Sequence, residues 1–288
     1  MKLQIAAAAA AVLCAASAPV QAKATASAEL TGLVISIDPI STAAGAAAPS
    51  VRFTTGSDYL EINALTQDPS SYQYAIATTP GFFSMSSLAT TPAYAGARAV
   101  VSGDPFSASG GTLGASSFAY GTAGQISTAS SHVVAGDDSA YAGFTLGPNT
   151  RLDVTAFYDV SATVGGAAFP SFGGAWEMAS FGAALSLLPA SGQPGQGSFQ
   201  GVGGGVAHAG FHVDAPYLEQ GELHVWFAGS ETDSTSGLFM ASVAASTVSS
   251  VPIPEPGNGA LLIAGLAMLG WLRRRSDAAS RPGVVPRR

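Results

Sequence analysis

Four histidines, His132, His208, His212 and His224, are the side chains of this sequence best suited to metal or proton chemistry. His208 and His212 are four apart, the spacing at which a helix offers two ligands to one ion. Glycines 203, 204, 205 and 210 surround them, which argues against helix. On a strand the pair shares a face but stands about 13 Å apart, too far to hold a single ion. His224 with Glu222, and His212 with Asp214, are same-face strand neighbours able to pair. Glycosidase chemistry needs two carboxyl groups roughly 5–10 Å apart across a cleft. Asp153, Asp159, Glu177, Asp214, Glu219 and Glu222 are the candidates, and the sequence alone brings no two of them together. Calcium takes carboxylate and carbonyl oxygens from loops. Asp137, Asp138, Glu231 and Asp233 lie in such segments and are candidate calcium ligands, calcium being the one cofactor these residues suggest. Solvated acidic turns are the favoured account of all four. For a sugar ligand the natural platforms are Trp176 and Trp226. Trp226 alternates with Val225 and Phe227 and lies beside Glu222 and His224, so these three form the candidate ligand-binding set on the outer face of one strand.

Other reaction classes lack their residues. No Gly-x-Ser-x-Gly elbow, phosphate-binding P-loop or Gly-x-Gly-x-x-Gly fingerprint occurs. The single cysteine, Cys14, sits in an N-terminal apolar run. These omissions lead to the expectation of a non-catalytic body.

The elements that must position those side chains read as β-strands. Residues 23–250 hold sixteen acidic and four basic residues, a net of −12, which excludes a basic nucleic-acid footprint. Hydrophobic residues make up 47% of the chain and charged ones 10%, enough apolar matter to bury a core. Glycine, 35 of 288, points to many turns and little helix. From Arg151 to Val164 the even-numbered residues are apolar or small. The odd ones are polar, with Phe157 the single exception. Further strands are expected at 28–37, 71–77, 97–102, 125–134, 139–146, 175–188, 198–213, 221–229 and 237–248. Gly147-Pro148-Asn149-Thr150 is expected as a tight turn, and 230–236 as a polar hairpin loop between the last two strands. The Gly/Ser/Ala-rich stretches 103–124 and 42–50 show little periodicity and are expected as loops. Together these predict an all-β body over 23–250, a single antiparallel two-sheet sandwich with jelly-roll connections as one option.

Residues 1–22 read as a secretory signal: Lys2, an apolar run from Ile5 to Ala16, then Val20-Gln21-Ala22, with cleavage between Ala22 and Lys23. At the other end, 251–256 is proline-rich, and 257–272 is free of charge and long enough for a short transmembrane helix. Arg273, Arg274 and Arg275 open a basic tail, 273–288, expected in the cytoplasm.

The order Pro254-Glu255-Pro256, apolar helix, arginine cluster resembles the PEP-CTERM sorting signal of Gram-negative bacteria that make exopolysaccharide. Two features depart from the usual pattern: Gly257 stands where Ser or Thr is common, and residues 276–288 follow the arginines. The resemblance implies an exosortase as partner and the inner membrane as a transient anchor. It further implies export across that membrane, followed by a place at the cell surface or in the extracellular matrix, with exopolysaccharide as the surroundings. The stretch Phe144 to Leu152 with the terminal strands 221–248 resembles, more loosely, sandwich bodies found ahead of this tail. The function expected is structural or adhesive. The alternatives are a carbohydrate- or calcium-binding module and a secreted glycoside hydrolase.

Overall fold

The computed structural model describes residues 22–53, 57–66, 72–80, 83, 86–90, 94–121, 126–136, 142–165, 176–193, 195–209 and 212–250. The signal segment before Ala22, the proline-rich motif 251–256, the apolar segment 257–272 and the basic tail 273–288 lie outside the described residues, as do Asp137 and Asp138. Among the described residues no helix is long and apolar enough to cross a membrane.

The described chain is all-β and antiparallel. Its strands, in order, are β1 (Ala22–Pro39), β2 (Val51–Phe53), β3 (Ser57–Thr66), β4 (Gln73–Pro80) and β5 (Ser86–Thr90). Then follow β6 (Ala95–Asp104), β7 (Gly110–Gly121), β8 (Ile126–Gly136), β9 (Ala142–Leu146) and β10 (Thr150–Val164). The last five are β11 (Trp176–Pro189), β12 (Gln196–Ala209), β13 (His212–Val213), β14 (Tyr217–Ala228) and β15 (Thr235–Ser250). One half of the molecule has the order β5-β6-β7-β1-β10-β14 and the other β12-β11-β15-β8-β3-β4, with β9 beside β15 and β2 beside β9.

Where two separate sheets were expected, hydrogen bonding runs continuously through both halves. The seam is short: Gln196 pairs with Ala228, and Gly197 with Phe227. The resulting sheet folds over itself and is nearly closed into a barrel. The core lies between the halves. Leu30, Leu113, Leu146, Leu152, Leu185 and Leu187 are fully buried there, as are Phe144, Phe227 and Phe239. Phe53, Phe144, Phe227 and Phe239 meet edge-on or tilted at 5.2–6.3 Å between ring centroids, the arrangement aromatic quadrupoles favour. Elsewhere the interior is lined by alanine, including Ala26, Ala115, Ala129, Ala162, Ala179 and Ala245. With so little side chain between them, Cα atoms of β7 and β15 approach within 8 Å, closer than the ~10 Å usual for stacked sheets.

β10 shows the expected alternation, with Leu152, Val154, Ala156, Val160 and Ala162 buried and Phe157 on the outer side. Most expected strands are present within a few residues. Three expectations need correction. The 103–124 segment is not a loop throughout: β7 fills 110–121 with every second residue buried. Its alternation is between Leu113, Ala115, Ser117, Ala119 on one side and Thr112, Gly114, Ser116 on the other, a pattern of size and packing with little contrast in hydropathy. The 230–236 loop is not a hairpin, because β14 pairs with β10 and β12 while β15 pairs with β11, β8 and β9. It crosses from one half to the other, as do the connections β7–β8 and β10–β11. Strands β2, β3 and β5 were not anticipated at all.

A β-bulge interrupts β1. The register shifts between Thr31 and Val34 against β10, and between Leu30 and Leu33 against β7, with Gly32 at φ 58°. A bulge adds twist and re-aims neighbouring side chains.

Candidate functional site

The expected ligand set lies on the outer face of β14, opposite β10. Val225 and Phe227 point into the core, so Trp226, His224 and Glu222 point outward, as the alternation required. The ladder sets Trp226 against Asp153, His224 against Thr155 and Glu222 against Phe157.

Asp153 organises the end of this face nearest the seam. Its Oδ1 accepts from Arg151 Nη2 at 2.8 Å and meets His224 Nε2 at 2.9 Å, with the carboxylate largely sheltered. His224 therefore pairs across the ladder with Asp153 rather than along its own strand with Glu222. Asp153 is the diagonal neighbour of His224, two residues along β10 from its direct partner Thr155, a separation that long side chains bridge. The Arg151 guanidinium lies over the Trp226 ring, 5.4 Å from its centroid. One face of the indole is thus engaged by a cation, and Trp226 is half-buried.

Two side chains of β12 satisfy the backbone of β14 where the strands part beyond the seam. Ser198 Oγ accepts the Trp226 N–H at 2.7 Å, and Gln200 Oε1 accepts the His224 N–H at 2.7 Å. Buried or half-buried N–H groups need such partners.

The same parting opens the inner side of β14. Tyr158 and Tyr217 both donate their hydroxyls to Glu219, Tyr158 at 2.7 Å. Phe181 packs on Tyr217 at 5.0 Å. Donation from Tyr217, then from Tyr158, holds the Glu219 carboxyl below the usual carboxylate range. The same bonds raise both phenols. The Tyr158 ring crosses β14 at Gly221, where any β-carbon would collide with it at 2.6–2.7 Å. This cluster has no sequence signal, because period two does not say which strand Glu219 will face.

On the other half, the outer face of β3 and β8 carries Tyr59, Glu61 and His132. Glu61 is the ladder partner of His132, and Tyr59 donates to Glu61 Oε2 at 3.0 Å. Burial, then the bond to Glu61, pushes the Tyr59 phenol up to about 12. Burial lowers His132, against the opposing pull of Glu61.

The remaining candidates are scattered. Glu177 is buried on the inner side of β11, in register with His208 and Ser249. Asp214 Oδ2 accepts the Ala207 N–H at 2.8 Å. Trp176 opens β11 and is exposed. His208 and His212 fall on paired strands, β12 and β13. Of the calcium candidates, Glu231 and Asp233 sit on the exposed crossing loop, whose turn is held by Ser230 Oγ accepting the N–H groups of Thr232 and Asp233, each at 3.2 Å. Among the described residues no three His, Cys, Asp or Glu side chains converge as a metal would need.

Further along the outer face of β10, away from Asp153, the surface changes character. Phe157 is 59% exposed, and Gly32 of the bulge lies against it, with space for a β-carbon 3.6 Å from the ring. Two residues on, Asp159 faces Glu29 across β1 and accepts from Gln220 Nε2 at 2.5 Å across β14. No known protein family, curated protein or solved structure matches this chain.

Proposed function

We propose that this is an exported, non-catalytic protein of the cell surface or extracellular matrix. In this reading its C-terminal PEP-CTERM-like signal is processed by an exosortase, and its body serves a structural or adhesive role in an exopolysaccharide layer. The body is then the antiparallel sheet folded over itself, exported by residues 1–22 and anchored by 257–272 until cleavage.

The observation that carries the reading is the order of features after the body. Strand β15 ends at Ser250, Pro254-Glu255-Pro256 follows within six residues, and the apolar segment and Arg273-Arg274-Arg275 come next. A fold without a cysteine in 23–250, held by packing and hydrogen bonding alone, is consistent with use outside the cell, where its stability would not depend on redox state.

The test is intact-mass analysis by cell fraction in the native host, with and without its exosortase gene. The reading expects loss of 1–22, and loss of the chain beyond about residue 256 only when the enzyme is present. A tail that stays intact in the inner membrane in both strains overturns it.

A further inference from the structure

The outer face of the β6-β7-β1-β10 layer holds a trough of about 350 Å³, within the size range of small-ligand sites. One wall carries Arg98 and the other Glu29 and Asp159. Ser27, Thr112 and Ser116 supply hydroxyls between them, and Gly114 keeps the floor low, since a β-carbon there would meet nothing nearer than Val100 at 4.0 Å.

Two features of this trough work against stability. Glu29 and Asp159 are directly opposed in the β1–β10 ladder, an arrangement of like charges that destabilises an antiparallel pair. Arg98 stands only two strands away, yet among the described residues it forms no ion pair with either, and Glu29 and Glu222 have no side-chain hydrogen bond or ion pair to another described residue. Charged groups of both signs thus line one depression without pairing to each other, and Asp159 is engaged by the neutral Gln220 amide. Beside them, about 7 Å along β10 from Asp159, Phe157 presents an aromatic ring to solvent from the middle of a polar strand face. The bulge at Gly32 gives that ring its place.

We propose that this trough binds a neutral pyranose polysaccharide. The Phe157 ring meets the C–H face of one sugar, while Glu29 and Asp159 accept from hydroxyls and Arg98 donates to ring and hydroxyl oxygens. Gln220 holds Asp159 in place, and Glu222, opposite Phe157 in the ladder, reaches the same strip. Three carboxylates against one guanidinium, on a body of net −12, repel a uronic-acid polymer. The inference does not depend on how the tail is processed.

The test is electrophoresis of the full chain, in a zwitterionic sugar-free detergent, through native gels containing dextran, hydroxyethylcellulose, galactomannan or alginate. At least one of the three neutral polymers should retard the chain, and alginate should not. Retardation should weaken tenfold or more in Phe157→Ala and in Asp159→Asn. It should be unchanged in Phe199→Ala, which removes an equally exposed ring from the other half of the molecule (62% exposed). Glu29→Gln should weaken binding while raising the melting temperature, because it relieves the opposed carboxylates. Lack of retardation by all three neutral polymers overturns the proposal. So does retardation by alginate as strong as by any neutral polymer, or equal loss in Phe199→Ala and Phe157→Ala.

Discussion

Asn149 is the residue whose replacement should cost this fold most for its size. It occupies the turn between β9 and β10 with φ at 57°, and it is buried. Its Oδ1 accepts the Ser41 N–H at 2.6 Å, and its Nδ2 donates to the carbonyls of Ser41 and Ala47, both at 2.9 Å. One side chain thereby pins the 41–47 loop to the turn. Its own N–H and C=O bond to Ser230 and Ile40, and these survive substitution. Asn149→Ala removes three hydrogen bonds at about 1 kcal/mol each. It also places an ordinary β-carbon at left-handed φ, a strain of roughly 1–2 kcal/mol, partly offset against glycine by the smaller entropy of the unfolded alanine chain. The expected losses are therefore about 4 kcal/mol for Asn149→Ala and about 3 kcal/mol for Asn149→Gly. At roughly 2–4 °C per kcal/mol for a body of this size, the alanine variant should melt about 8–16 °C lower. Urea unfolding of the full chain, followed by tryptophan fluorescence and far-ultraviolet dichroism, measures both. A loss below about 1 kcal/mol for alanine, or a glycine variant less stable than the alanine one, would refute the reasoning.

Gly237 faces Phe144 across the β9–β15 ladder, and a β-carbon there would overlap that buried ring. Gly237→Ala should cost about 1–3 kcal/mol by overpacking, read from the same urea curves, and a neutral result would show that the ring can move aside. His132 has a folded pKa below its ordinary 6.5, so its neutral form is favoured by folding. Its contribution is complete above pH 6.5 and is lost as pH falls from there through the lowered folded value. Wild type should thus lose more stability than His132→Gln between pH 7.5 and 5, and equal losses would contradict this. Tyr217→Phe should raise the Glu219 carboxyl toward its ordinary value, because it removes the largest cause of the lowering. A carboxyl titration by NMR that leaves Glu219 unmoved would rule out that bond.

Sequence periodicity located β10 and most other strands because their inner residues are mostly apolar and their outer ones more polar. It also placed Trp226, His224 and Glu222 on one outer face. It missed β7 because Ala and Leu alternate there with Gly, Ser and Thr, and burial among close-packed alanines needs no strong hydropathy contrast. Partners across strands were not legible: nothing near His224 in sequence says that Asp153, 71 residues away, will meet it. The same holds for Tyr158 and Glu219, brought together only by the ladder. Phe157, the one break in the best alternation, was legible as an anomaly, and the structure gives it an exposed position beside the bulge.

The first and last strands both lie inside the sheet. β1 is flanked by β10 and β7, and β15 by β11 on one side and by β8 and β9 on the other. Tension drawn along the chain from either end cannot peel such a strand one bond at a time, as it would peel an edge strand like β4. It must shear two ladders at once, so the rupture force is shared over many bonds loaded in parallel. A body held through β15 would carry drag from its surroundings into the middle of its sheet, where it is mechanically strongest.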